Sequence, residues 1–418
     1  MIGLIDGNNF YVSCERIFDL TLAGKPVGVM SNNDGCLISR SQELKALNVP
    51  MGTPFHELRP LLDKHGIILR SSNYELYGDI SRRVIAVLNE FTPEIEQYSI
   101  DEAFIHVNRP SGTDYGALGG EIRRTILQWI GIPCGVGFAR TKTLAKIANH
   151  IGKKRPDGVY VMPDDAEPVL SQLPVSEVWG VGRRLAPKLE ALGFRSAWQL
   201  AMADEALLRR KFNITLAKTA RELRGEPMIE AEDPEELSLS ISCSRSYGHP
   251  VTELAELAES VAHYTAQAAE KLRKEGQRAA GVNVYFQYFP EYQPSELEGG
   301  FSGTTVLFET PTAVTAEMFH AISPKLAGLF LPGRRYKKAG VVFFGLESGE
   351  LRQLDLFGSA TSDEKGERLA AAMDRINRQF GRGTLFHLAE GVEKPWKMKR
   401  EFLSPSCTTN WSQLPEVR

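Results

Sequence analysis

Residues Tyr98 to Phe104 read Y-S-I-D-E-A-F. The adjacent carboxylates Asp101 and Glu102 interrupt a strand-like pattern, with Ile95 to Tyr98 before them and Ala103 to Val107 after. This spacing predicts a β-hairpin with the acidic pair near its tip. The chain opens M-I-G-L-I-D, so a third carboxylate, Asp6, closes another short apolar run. Three carboxylates at strand ends suit a two-metal phosphoryl-transfer centre, in which two Mg2+ ions about 3.5–4 Å apart are held by hard oxygen ligands. An ordinary acidic turn and a strand cap look the same locally, so the surroundings must decide.

With 418 residues the chain exceeds one compact core and should divide into several domains. Its five cysteines (Cys14, Cys36, Cys134, Cys243, Cys407) are scattered singly, which speaks against a disulfide framework or a zinc site and for a reducing cytoplasm. No basic-then-apolar leader opens the chain, and no run of about 18 apolar residues occurs, so no membrane partner is expected. The net charge of -3 hides strong patterning. From Phe138 to Pro156 there are six Lys or Arg residues and no acidic one, and from Leu207 to Gly225 six more against Glu222 alone. Further basic clusters lie at Arg334 to Lys338 and Lys394 to Arg400, while Glu230 to Glu236 is acidic. Local basic faces of this kind are what a nucleic-acid backbone would meet.

Along the chain, Val27 to Ser31 and Leu37 to Ser39 read as strands and Glu43 to Leu47 as a helix start. Thr141 to Ile151 places Leu144, Ile147, Ala148 and Ile151 on one helical stripe, with Lys142 and Lys146 off it, free to meet phosphate. Leu173 to Leu200 reads as two helices joined by Trp179-Gly180-Val181-Gly182, a helix-hairpin-helix signal followed by Arg183 and Arg184. From Ser238 to Leu346 the order β-α-β-β-α-β indicates a split-βαβ module, with Arg245, Arg335 and Lys337 giving its open sheet face positive charge. The last seventy residues are less regular. They begin with Gln353-Leu354-Asp355-Leu356-Phe357, a peptide that either folds back or docks in another protein's groove.

At this point the chain resembles the Y-family of translesion DNA polymerases, and within it the polymerase V-type catalytic subunits. The likeness runs through D-G-N-N-F-Y-V-S-C-E (Asp6 to Glu15), S-N-N-D-G-C (Ser31 to Cys36), S-S-N-Y-E-L-Y-G-D (Ser71 to Asp79), Y-S-I-D-E-A-F, A-R-T-K-T-L-A-K-I-A-N-H (Ala139 to His150), V-W-G-V-G-R-R (Val178 to Arg184), R-Y-K-K-A-G-V (Arg335 to Val341) and Q-L-D-L-F. The resemblance implies an α+β multidomain right-hand polymerase with a ferredoxin-like palm, small fingers, a helix-hairpin-helix thumb and a split-βαβ little finger. The implied boundaries are palm 1–20 and 78–165, fingers 21–77, thumb 166–229, acidic linker 230–237, little finger 238–347 and tail 348–418.

Carried over residue by residue, the resemblance puts Asp6, the Gly7 carbonyl, Asp101 and Glu102 on two Mg2+ ions and makes Tyr11 the steric gate against a ribose 2'-hydroxyl. It sets Phe10, Ile38, Ser39, Lys45 and Lys146 around the deoxynucleoside triphosphate, and Gly180, Gly182, Arg183, Arg245, Arg335 and Lys337 on primer-template DNA. Gln353, Leu354, Leu356 and Phe357 fall on a sliding-clamp motif. Lys45 and Gln42 stand where the wider family often has arginine and tyrosine, which leaves those two contacts open. The implied activity is error-prone extension of a primer past damaged bases in the SOS response, in the cytoplasm on the nucleoid, with an accessory-subunit dimer and a RecA filament as partners. A nucleotide cyclase also uses paired carboxylates on such a palm, and a non-catalytic DNA-binding regulator is the third reading. The basic segments and clamp peptide disfavour the cyclase, and an intact acidic cluster beside DNA disfavours the regulator.

Overall fold

The computed structural model describes residues 1–110, 112–230, 237–290, 300–349 and 360–415. The chain divides into two compact units, residues 1–233 with 401–418, and residues 234–400.

The first unit starts with β1 (Ile2–Gly7) and α1 (Phe10–Phe18). Then come β2 (Val27–Met30), β3 (Leu37–Arg40), α2 (Gln42–Ala46), α3 (Phe55–His65), β4 (Ile68–Ser71) and α4 (Tyr74–Leu88). The hairpin expected around the acidic pair is β5 (Ile95–Gln97) with β6 (Glu102–His106). After it follow α5 (Tyr115–Ile130), β7 (Cys134–Ala139), α6 (Lys142–Gly152) and β8 (Val159–Val161). The palm strands lie in the order β5-β6-β1-β7-β8, and β1 runs antiparallel to both β6 and β7. The order of the first four is the ferredoxin-like one. β1 is apolar at successive positions because both of its faces are covered. Leu4 and Phe104 face α6 and the thumb, while Ile5, Ala103 and Ile105 face the core shared with α1, α4 and α5. The fingers have their own small core beneath the sheet β3-β2-β4, built from Met30, Leu37, Leu44, Leu58 and Leu69.

The thumb consists of α7 (Glu167–Gln172), α8 (Ala186–Ala191), α9 (Ala197–Ala201), α10 (Glu205–Lys211) and α11 (Ile214–Leu223). Asp204 and Asn213 cap α10 and α11 through their side chains, and Ser196 with Gln199 forms a capping box on α9. The expected helix before the Gly180 turn is instead a short 3-10 turn, Val175–Glu177. Pro174 lacks the N–H that would continue α7 and restrains Leu173 to an extended conformation, so that helix stops.

α6 lies unusually close to β7. A Cβ built on Gly137 would come within 2.6 Å of Ala145 O and 2.7 Å of Ala148 C, both backbone atoms that cannot yield cheaply. The Asn149 amide anchors the same helix by donating to Leu4 O (3.1 Å) and Gly135 O (2.9 Å).

The second unit holds β9 (Ile241–Val251), α12 (Leu254–Lys274), β10 (Gln277–Tyr288), β11 (Phe301–Thr312), α13 (Thr315–Leu329) and β12 (Tyr336–Ser348). The element order matches the split-βαβ expectation, and the sheet runs β11-β10-β12-β9 with every neighbouring pair antiparallel. The tail differs from the expectation of an irregular appendage. It forms α14 (Ala360–Phe380), tied to α12 by Arg273, whose guanidinium donates to both Asp374 oxygens at 2.7 and 2.8 Å. Trp396 is buried against Tyr264. Lys394, read from the sequence as part of a basic cluster, is buried with its ammonium 3.4 Å from Glu390. Residues from Glu401 onward return to the first unit. Among the described residues no helix is long and apolar enough to cross a membrane.

Gly137→Ala should lower the stability of the first unit by about 1–3 kcal/mol by wedging α6 off the sheet. The check is the urea midpoint of unfolding; an unchanged midpoint would contradict the close approach.

Candidate active site

The antiparallel register sets Asp6 of β1 directly opposite Glu102 of β6. Gly7 N donates to Asp101 O at 2.9 Å, so the end of β1 is stitched to the hairpin tip. Ser99 shapes that tip. Its hydroxyl donates to Asp101 Oδ1 (2.7 Å) and accepts from the N–H groups of Asp101 (3.3 Å) and Glu102 (3.0 Å). Gly7 has to be glycine for packing reasons, since a Cβ there would lie 2.8 Å from the Phe10 ring. That ring is buried in the palm core with Val12 and Ile5. Phe10, expected around the nucleotide, has its ring on the inward, apolar side of α1.

Two ammonium groups from α6 answer the carboxylates. Lys153 Nζ lies 2.5 Å from Asp6 Oδ2. Lys146 donates to both oxygens of Glu102, at 3.0 and 3.2 Å. Lys146 also sits over the rings of Tyr98 (4.3 Å) and Trp179 (5.0 Å), so an aromatic box fixes it from behind. Burial, followed at lower weight by Glu102 and Asp101, outweighs Lys153 and pushes the Asp6 carboxyl up from 3.8 to about 6. Burial is thus the main reason the Asp6 carboxylate is hard to ionise here, with its acidic neighbours a smaller one. Burial, then Arg40 and Lys153, lowers the Lys45 ammonium.

Among the described residues no three acidic, histidine or cysteine side chains are turned onto one point. Asp6 is turned to Lys153, Glu102 to Lys146 and Asp101 to Ser99. The donor set nonetheless fits a hard divalent cation, being carboxylate and carbonyl oxygen throughout. The Y-family fold carries divalent-metal dependence with it in general.

Tyr11 is half-buried at the start of α1. Its ring stacks on Tyr77 (centroids 4.5 Å apart, 15° between planes) and meets Tyr74 edge-on at 5.9 Å. Ser39 is buried on β3, and Ile38 packs against the palm core from the fingers. The thumb turn exposes Gly180, Gly182 and Arg183, with Gly180 at φ 85° in the left-handed region that glycine tolerates. Arg335 and Lys337 flank the Phe289 ring at 5.5 and 5.8 Å. Arg245 pairs with Ala339 and shares the parity of buried Cys243 and Ile241, so it points to the helix-covered side of its sheet rather than the open face. Gln353, Leu354, Leu356 and Phe357 lie outside the described residues.

Sequence reasoning missed three partners and misplaced a fourth. Lys153 stands seven residues after Lys146, two turns along the same face of α6, and that spacing would have found it. Ser99 was quoted without a role. Glu222, seen only as the lone acid in a basic run, is buried and accepts from Thr143 N (3.0 Å) and Met228 N (2.7 Å), clasping the start of α6 to the thumb. Lys142, expected to face phosphate, is buried on Glu96 at 2.5 Å.

Known proteins share this organisation. The impB/mucB/samB family matches residues 5–150, its C-terminal domain 238–356 and the family's helix-hairpin-helix motif 163–194. A domain of unknown function, DUF4113, matches 367–417. The chain is 40% identical to protein UmuC of Salmonella typhimurium over the whole of both chains, and 38% identical to protein MucB of Escherichia coli over 99% of each. A DNA polymerase IV of Desulfatibacillum aliphaticivorans is 29% identical over 91% of this chain and 94% of its own. In fold it is similar to a Y-family Dbh–Dpo4 chimera (TM-score 0.64, 21% identity) and to Dbh DNA polymerase in an insertion ternary complex (0.54, 20%), each covering 83% of this chain and 100% of the other. With full-length likeness at this level, the chain belongs to the impB/mucB/samB family, the UmuC-like members of the Y-family DNA polymerases.

Proposed function

We propose that Asp6, the Gly7 carbonyl, Asp101 and Glu102 hold two Mg2+ ions in the error-prone translesion DNA polymerase of the SOS response that this chain is. The observation behind the proposal is the placing of three carboxylates at the adjoining ends of β1 and the β5–β6 hairpin, with Asp6 pushed up to about 6 chiefly by burial. When bound, the ions supply Lewis acidity at the primer 3'-hydroxyl and neutralise charge on the triphosphate and departing pyrophosphate.

The chain's own residues do the positioning. Lys153, freed from Asp6, stands with Lys45 and Arg40 as an ammonium and guanidinium cluster for the triphosphate, and the Ser39 hydroxyl is a further donor there. Lys146 steadies Glu102 and acts on the nucleotide from that position. Tyr11 fills the volume a 2'-hydroxyl would need, and Ile38 roofs the nascent base pair. Gly180, Gly182 and Arg183 take template-primer phosphates, as do Arg335 and Lys337, with Arg245 reaching DNA only from its sheet edge. Gln353, Leu354, Leu356 and Phe357 dock on the sliding clamp, and an accessory-subunit dimer and a RecA filament activate the chain, on the nucleoid in the cytoplasm. Polymerase relatives over the whole length leave no place for the cyclase or the non-catalytic regulator.

Three outcomes follow from this assignment. Asp101→Ala is expected to cut primer extension by about a thousandfold or more while changing DNA affinity little; retained extension would sink the assignment. For Asp6 the folded pKa lies above the unfolded one, so ionising it costs stability: the cost is absent below about 3.8, grows between 3.8 and about 6, and is complete above. In metal-free protein Asp6→Asn should thus raise stability by about 1–2 kcal/mol at around pH 7.5 and by almost nothing near pH 4, as followed by thermal melting. An equal gain at both pH values would refute the origin given for the shift. Replacing Leu356 and Phe357 by Ala should weaken clamp binding about a hundredfold and spare distributive extension, and surface plasmon resonance on immobilised clamp would report it.

A further inference from the structure

The segment from Glu401 to Pro415 runs along the first unit behind the fingers and palm. Glu401 N donates to Asp34 Oδ2 at 2.8 Å. Phe402 N donates to Ser71 Oγ and Ser71 N to Phe402 O, both at 3.0 Å. The Phe402 ring enters the fingers core, 5.7 Å from Phe55. Two residues on, Ser404 Oγ accepts from Asn73 Nδ2 (3.1 Å), the residue whose side chain caps α4, and Ser404 shares a cavity wall with Glu15. Glu15 is buried and accepts at 2.7 Å from the hydroxyl of buried Tyr77, the ring on which Tyr11 stacks.

We infer that this C-terminal strap determines sugar selectivity: Ser404, through the Asn73 cap of α4, is a positioning residue for Tyr11. The inference rests on the reading of Tyr11 as the steric gate. A gate excludes a hydroxyl only if its ring cannot retreat. Tyr11 has two supports, the face of Tyr77 and the edge of Tyr74, both on the first turns of α4. Ser404 acts on both through their common helix: its hydroxyl accepts from the Asn73 amide, and the Asn73 side-chain oxygen accepts from Leu76 N at 3.2 Å, in the turn that carries both rings. Without the Ser404 hydroxyl the Asn73 amide loses this acceptor, the cap is free to turn, and the start of α4 with Tyr74 and Tyr77 loosens behind Tyr11. Phe402 and the paired bonds at Ser71 keep Ser404 in register two residues away.

The test is single-nucleotide insertion by the full-length chain opposite template cytosine, with accessory dimer and RecA filament supplied, comparing kcat/KM for dGTP with that for GTP. Tyr11→Ala is expected to collapse the ratio. Ser404→Ala should lower it by about tenfold through raised GTP insertion, with dGTP insertion within about threefold of wild type. Ser404→Thr, which keeps the hydroxyl, should restore the ratio, and Phe402→Ala, which unseats the strap at a different point, should lower it as Ser404→Ala does. Adding Ser404→Ala to Tyr11→Ala should change nothing further. If Tyr11→Ala leaves the ratio intact, the gate reading fails and the inference falls with it. If Tyr11→Ala collapses the ratio and Ser404→Ala does not move it, the strap inference alone is overturned. Equal loss of both substrates in the Ser404 and Phe402 variants also overturns it, because the strap would then support the site as a whole.

Discussion

The arrangement of the first unit depends on one electrostatic constraint: three carboxylates at one end of a buried sheet must be kept together. Taking a carboxylate out of solvent is costly, and the raised Asp6 pKa expresses chiefly that burial, with the neighbouring carboxylates adding less. α6 is the counterpart that makes the arrangement tolerable. It reaches the sheet closely enough for Lys146 and Lys153 to engage Glu102 and Asp6 because position 137 lacks a side chain. Asn149 between those lysines binds backbone carbonyls on β1 and at Gly135, so the helix can neither slide nor roll without breaking buried hydrogen bonds.

The same helix joins palm and thumb. Thr141 caps its N-terminus, and the Glu222 carboxylate of α11 accepts the N–H of Thr143, in the first turn, where a negative charge complements the helix dipole. At the far side of the active-site hairpin, Trp179 from the thumb turn packs edge-on to Tyr98 at 5.4 Å, and both rings border Lys146. The thumb is thus mechanically continuous with the lysine that holds Glu102. A shift of the thumb turn would be felt as a change in the position of the Glu102 carboxylate rather than as a distant rearrangement.

Much of this was legible in the sequence, for identifiable reasons. Short apolar strands ending in acids, the amphipathic stripe of α6 and the β-α-β-β-α-β order of the second unit are local patterns, and local patterns survive without coordinates. What was not legible depends on pairing across the fold. Off-stripe lysines look alike in sequence, yet Lys142 is buried on Glu96, Lys146 is boxed by aromatics and only Lys153 faces the Asp6 carboxylate from a third exposed position. Arg245 was assigned to the wrong sheet face because its strand's inward parity is set by register with Ala339, not by its own charge. The tail looked irregular because its anchors, Asp374 and Trp396, are single residues whose partners lie over a hundred positions earlier.

The aromatic side of the site is built on a different principle from the acidic side. α1 presents Tyr11 and Glu15 one helical turn apart, so a single short helix carries both the half-buried ring and the carboxylate that anchors the ring behind it. An apolar wall would support Tyr11 as well by area, but apolar contacts are non-directional and let a ring tilt at little cost. The Tyr77 hydroxyl replaces that freedom with a directed bond to a buried carboxylate, and a buried carboxylate in turn demands further donors. The start of α4, which carries the Tyr77 ring, is itself capped by Asn73, whose amide donates to Ser404 at 3.1 Å. The polar support of Tyr11 therefore draws on residues beyond position 400.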